Sequence, residues 1–103
     1  MPETVGVIGS GSWGTTIAKI LAENDNQVLL WARREALCEQ INEGHRNEDY
    51  LPGVKLPPGI MATHDLQRIC ESCKLILIVV PSHGFRRVAH EVGAFLDGEH
   101  VLV

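Results

Sequence analysis

The sequence predicts an α/β fold, a doubly wound parallel sheet, on three observations. Short apolar runs alternate with helical patterns along the whole chain, which is the order of elements in a parallel sheet with helices on its faces. The runs Val28–Trp31 and Leu75–Val80 are continuously apolar, as strands covered on both faces require. The first run, Thr4-Val5-Gly6-Val7-Ile8, passes through closely spaced glycines straight into a helical pattern. The expected strand order is 3-2-1-4-5, with the chain truncated within or near strand 5.

The glycines are Gly9-Ser10-Gly11-Ser12-Trp13-Gly14, at the spacing G-x-G-x-x-G. Each has a physical role. Gly9 makes the tight turn, Gly11 lets backbone approach a pyrophosphate, and Gly14 lets the helix pack closely on the strand. The helix N-terminus presents unpaired N–H groups and the positive end of its dipole to the same spot, so an anion is held there without a basic side chain. Alone the motif is weak, because a glycine turn can join strand to helix and bind nothing. Here it follows a strand, opens a helix and precedes a second strand, so the expectation is a Rossmann-like dinucleotide site.

The first helix is expected from about Trp13 to Glu23, stopped by the turn residues Asn24-Asp25-Asn26. Strand 2 follows at Gln27 to Trp31, and the unit is a right-handed βαβ crossover. A second helix from about Glu35 to Glu43 carries Leu37 and Ile41 on its apolar face and ends at Gly44 as C-cap. Residues 45 to 60 interrupt the alternation. Pro52-Gly53 and Pro57-Pro58-Gly59 stiffen this long connection, and Tyr50, Leu51, Val54 and Leu56 argue against disorder. A short third strand at about Ile60 to Thr63 leads to Asp65, the cap of a brief helix through Cys70. Leu75 to Val80 is a central strand ended by Pro81. Ser82 is the expected cap of a helix with apolar positions Phe85, Val88, Ala89, Val92 and Phe95, and Gly98 turns the chain into Val101-Leu102-Val103.

Composition narrows the function. The 103 residues make one domain at most, with a formal net charge of −4, a pI near 5.7 and no basic run. That leaves no electrostatic footprint for nucleic acid or an acidic membrane surface. The fold begins within a few residues of Met1 and no apolar stretch reaches the length of a bilayer span, so a soluble, cytoplasmic protein is expected. Cys38, Cys70 and Cys73 are an odd count, which argues for reduced thiols. Cys70-x-x-Cys73 lacks a second ligand pair and ends a helix rather than starting one, so two small semi-buried residues are expected there, with no metal ligand. His45, His64, His90 and His100 show no ligand spacing either.

In a 3-2-1-4-5 sheet the loops beyond strands 1 and 4 diverge and leave a crevice, with the glycine turn on one side and Pro81-Ser82-His83 and Phe85 on the other. An NAD-selective fold usually places Asp or Glu at the end of strand 2 to accept from the ribose 2′-OH. Strand 2 here ends Trp31-Ala32-Arg33-Arg34. Guanidinium groups suit a 2′-phosphate or stack on adenine, so NADP(H) is expected to be accepted. The alternative is that both arginines are solvated, cover the sheet edge or pair with nearby acids.

Four blocks in this order are more specific than the glycine turn: Gly9 to Thr15, Leu30-Trp31-Ala32-Arg33, Asn47 to Pro58 with its Tyr50-Leu51-Pro52-Gly53, and Val80-Pro81-Ser82-His83. Together they resemble the bacterial-type NAD(P)-dependent glycerol-3-phosphate dehydrogenases, over essentially the whole chain. The resemblance implies an N-terminal cofactor-binding domain at residues 1–103. The full-length protein would transfer hydride between NAD(P)H and dihydroxyacetone phosphate, giving sn-glycerol 3-phosphate for phospholipid synthesis. It also implies cofactor contacts at Gly9, Ser10, Gly11, Ser12, Trp13, Gly14 and Arg33, with Arg34, Tyr50, Pro81 and Phe85 as further candidates. For Trp13 the competing reading is an aromatic that packs the first helix on a neighbour. His83 invites a general-acid role, but the family is understood to use lysines, and these would lie beyond Val103 in a helical substrate domain.

The chain alone is therefore expected to bind dinucleotide without turnover, and to meet dihydroxyacetone phosphate or glycerol 3-phosphate only with that second domain. An interrupted fifth strand would expose apolar surface, so self-association, as in a homodimer, is a further expectation. Two other functions stay open: a stand-alone NAD(P)H-sensing module, and the cofactor half of a related hydroxyacid or 6-phosphogluconate dehydrogenase.

Overall fold

The computed structural model describes residues 4–80, 82–93 and 101–102. Five parallel strands form the middle layer: β1 (Thr4–Ile8), β2 (Gln27–Trp31), β3 (Ile60–Thr63), β4 (Leu75–Ile78) and β5 (Val101–Leu102). Their order across the sheet is β3-β2-β1-β4-β5, as the crossover argument requires. The central register pairs Val7 with Leu30 on one side and with Leu77 on the other.

Side chains alternate along each strand, so two cores form. On one face Val7, Leu30 and Ala62 bury against α1 (Ser12–Glu23) and α2 (Glu35–Gly44) through Ala18, Leu37 and Ile41. On the other, Ile8, Leu29 and Ile76 bury against α3 (Leu66–Ser72) and α4 (Ser82–Gly93) through Ile69, Cys70 and Val88. A side chain at Gly6 would meet Ile69 Cγ2 at 2.7 Å, so the glycine inside β1 is what lets α3 lie close on that strand.

Polar residues terminate these elements as their chemistry predicts. Asn24 Nδ2 donates to the Ile20 carbonyl at 2.8 Å and Asn26 Nδ2 to that of Leu21 at 3.0 Å, satisfying the last carbonyls of α1. The Asp65 carboxylate accepts from the Gln67 N–H at 3.0 Å and caps α3. Asn42 reaches from α2 to the edge strand β3 and bonds both the N–H and the carbonyl of Ala62, at 2.7 and 2.9 Å. That edge is thereby blunted.

Three boundaries differ from expectation. Gly44 is the last helical residue of α2 and not its C-cap; the left-handed turn falls on His45 (φ 53°), whose N–H still reaches the Ile41 carbonyl. The left-handed residue lies one position later because the helical pattern itself extends through Gly44. β4 ends at Ile78 rather than Val80, because its partner β1 ends at Ile8 and the chain turns away at Gly9; the Val79 N–H makes one last bond to the Ile8 carbonyl at 2.8 Å. Ser82 lies inside the first turn of α4. Pro81, Phe95 and Gly98 lie outside the described residues, as do the side chains of Ser82, His83, Phe85 and Val92.

Candidate functional site

The carboxyl ends of β1, β2 and β4 border one open cleft of about 660 Å³. Its floor is the glycine turn. Trp31, Arg33 and Arg34 line it from the end of β2, Val79 and Val80 from the end of β4, and Tyr50 from the long connection.

The three glycines are distinguishable by what a side chain would meet. At Gly9, with φ at +128°, a Cβ would lie 1.9 Å from the Val79 carbonyl oxygen, so the turn and the end of β4 touch backbone to backbone. At Gly14 a Cβ would lie 1.9 Å from the Gly9 carbonyl oxygen, so the first turn of α1 closes on the turn that feeds it. At Gly11 nothing stands within 4 Å. The space above Gly11 is open, as a residue over which a ligand is to lie must leave it.

Gly11 is also the N-cap of α1, with no side chain capping the helix and no acidic residue in its first turn. The Thr15 N–H closes the first helical bond on the Gly11 carbonyl at 3.0 Å. The N–H groups ahead of Thr15 have no such partner by the geometry of any helix start, so the positive end of α1 faces the cleft without a carboxylate to neutralise it. Backbone amides and a helix dipole suit a pyrophosphate.

The long connection lies against this turn. Ser12 Oγ donates to the Tyr50 carbonyl at 2.7 Å, so its hydroxyl proton is engaged by the protein. Asn47, fully buried, donates through Nδ2 to the Ser10 carbonyl and to Thr15 Oγ1, each at 2.8 Å. Trp13 is 76% exposed, which excludes the reading that it packs α1 on a neighbour within the described residues; it stands at the cleft with Tyr50, which is 44% exposed.

The two arginines behave differently. Arg34 pairs with Asp49, and that hydrogen-bonded carboxylate holds its guanidinium above the ordinary value, always charged. Arg33 lies over the Trp31 ring, 5.9 Å from the centroid, while the Trp31 Nε1–H is fixed on the His64 carbonyl at 3.0 Å. The alternative of an arginine paired with a nearby acid thus describes Arg34. Among the described residues it does not describe Arg33, whose guanidinium lies at the cleft over an aromatic face.

Of the candidates, Gly9, Ser10, Gly11, Ser12, Trp13, Gly14, Arg33, Arg34 and Tyr50 line one cleft. Pro81 and the Phe85 side chain lie outside the described residues. Sequence reasoning passed over Trp31, Val79 and Val80, although the rule that ligands lie beyond the carboxyl ends of strands points at all three. It also passed over Asn47 and Asp49, for which periodicity offers no signal. Cys38, Cys70 and Cys73 are all buried, and burial raises each thiol, Cys73 to about 11.

The model of one family, NAD-dependent glycerol-3-phosphate dehydrogenase N-terminus, matches residues 4–103. The chain belongs to this family. It is 42% identical over 99 residues to the glycerol-3-phosphate dehydrogenase [NAD(P)+] of Bacillus licheniformis, an alignment covering 96% of this chain and 29% of that protein. Among solved structures, the glycerol-3-phosphate dehydrogenase of Saccharomyces cerevisiae is similar with a TM-score of 0.91 and 34% identity, over 99% of this chain and 33% of that one. That of Coxiella burnetii gives 0.91 and 31%, over 98% and 31%. The chain therefore spans about a third of the length of these relatives. Family membership supports dinucleotide binding, and it sets aside a hydroxyacid or 6-phosphogluconate dehydrogenase as the parent of this cofactor half. No helix among the described residues is long and apolar enough to cross a membrane.

Proposed function

We propose that this chain is the cofactor-binding half of a glycerol-3-phosphate dehydrogenase and holds NAD(P)H in the cleft above Gly11. The observation that carries the reading is the contrast among the glycines: Gly9 and Gly14 are filled by backbone at 1.9 Å, while Gly11 alone of the three opens on unobstructed space at a helix N-terminus. The residues fit the group. Backbone N–H groups of residues 11 to 14 would hold the pyrophosphate, Trp13 and Tyr50 would flank it, and Arg33 on Trp31 would meet the adenosine end, where it suits a 2′-phosphate.

Bound NAD(P)H supplies the hydride that reduces dihydroxyacetone phosphate to sn-glycerol 3-phosphate. These 103 residues bind and orient; the lysines that would polarise the substrate belong to the rest of the family's length, so the chain by itself is expected to bind cofactor without turnover. A soluble, cytoplasmic, dimeric parent protein fits the same reading. Titration of NADPH and NADH against wild type and Arg33→Ala tests it. The expected result is a loss of about tenfold or more in NADPH affinity with a smaller effect on NADH, since a charge-assisted contact to phosphate is removed. Equal small effects on both would take Arg33 out of the site.

A further inference from the structure

We infer that Asn47 is a positioning residue for the cofactor: its carboxamide fixes the Ser10–Gly11 peptide so that the Gly11 N–H faces the pyrophosphate. The inference rests on the dinucleotide reading of the cleft and extends it to a residue outside the glycine turn, three positions after α2 in the sequence.

Asn47 is 0% exposed, and a buried polar side chain needs partners. Its Nδ2 donates to the Ser10 carbonyl oxygen at 2.8 Å and to Thr15 Oγ1 at 2.8 Å, and its Oδ1 accepts from the Tyr50 N–H at 3.3 Å. Thr15 Oγ1 in turn donates to the same Ser10 oxygen at 3.1 Å. Two donors therefore converge on one carbonyl of the glycine turn. No peptide of the described chain is cis, and in a trans peptide the carbonyl and the following N–H point in opposite directions. Drawing the Ser10 oxygen inward onto Asn47 and Thr15 turns the Gly11 N–H outward, to the side where Gly11 lines the cleft.

A glycine turn is conformationally permissive, so nothing intrinsic to Ser10-Gly11 keeps this peptide from rotating and presenting its carbonyl to the phosphates instead. The pair of buried donors removes that freedom before the ligand arrives, and an oriented amide is more effective toward an anion than one that must reorganise. Asn47 also ties the connection to the turn. With Ser12 Oγ on the Tyr50 carbonyl at 2.7 Å and Asn47 Nδ2 on the Ser10 carbonyl at 2.8 Å, the segment carrying Tyr50 is fastened to the glycine turn at two points.

The test uses the intact protein and Asn47→Leu, which keeps about the same size and removes both donors without adding a charge that would itself repel a pyrophosphate. Affinity is read by NADH fluorescence and by displacement with ADP-ribose, which carries the pyrophosphate, and adenosine, which does not. The expected result is a loss of about fivefold or more for NADH and ADP-ribose with adenosine changed less than about twofold, since a hydrogen bond to a charged group is at stake. A merely structural role would weaken all three ligands alike, and that pattern overturns the inference, as does a smaller loss in a folded variant. If Asn47→Leu does not fold, Asn47→Ala decides: it removes the same carboxamide donors, again without adding a charge. A selective loss for the pyrophosphate ligands is expected, and unchanged affinities overturn the proposal. A wild type that binds neither NADH nor ADP-ribose overturns the cofactor reading itself and the inference with it.

Discussion

At Gly11 the backbone angles, φ −71° and ψ −170°, are open to any L-residue, and a Cβ meets nothing within 4 Å. Gly11→Val is therefore expected to cost about 1 kcal/mol at most, from replacing a tolerated N-cap residue, while removing dinucleotide binding. Gly14 is the opposite case: Gly14→Ala drives a Cβ to 1.9 Å from the Gly9 carbonyl and should destabilise by about 3 kcal/mol, visible in a thermal melt. Spacing alone marked Gly9 and Gly14 as positions of close backbone approach, which the 1.9 Å contacts bear out, and the pyrophosphate role of Gly11 is what binding to Gly11→Val tests. What spacing could not show is that Ser12 spends its hydroxyl on Tyr50, that Asp49 claims Arg34, or that Asn47 is buried under the turn. Those contacts join residues more than a dozen positions apart, and local pattern carries no information about them.

Among the elements, every strand and helix was legible, because parallel strands read as apolar runs and Asn24, Asn26 and Asp65 are terminators with a mechanism. The end of α2 was misplaced by one residue. Since Gly44 is helical and open around its Cβ position, Gly44→Ala should stabilise by about 0.5–1 kcal/mol, the helix-interior penalty of glycine, in chemical denaturation. The junction of α3 and β4 predicts a pH effect. Burial raises the Cys73 thiol from 9.0 to about 11. The folded state therefore keeps its proton where the unfolded chain has lost it: this contribution to stability is intact below pH 9 and is lost as pH rises toward 11. Cys73→Ala should flatten that decline in melts between these pH values, and native Cys73 should resist alkylation at about pH 8, where the thiolate is scarce.

For the molecule as a whole, doubly wound connectivity brings the ends of β1, β2 and β4 to one cleft although they lie far apart in sequence. The fold class and strand order followed from the alternation of elements. The shape of the cleft did not, since it depends on how residues 45 to 59 fold back over the turn. If the cleft holds the dinucleotide, saturating cofactor should raise the thermal midpoint, with about 2.7 kcal/mol of stabilisation at roughly a hundred times the dissociation constant.

The most direct measurement is calorimetric titration of NADH and NADPH into the intact protein and into Gly11→Val, each verified as folded. Saturable binding of both dinucleotides to the wild type and none to Gly11→Val is the predicted result. Undiminished binding to a folded Gly11→Val would contradict it, because the pyrophosphate would then lie somewhere other than above Gly11.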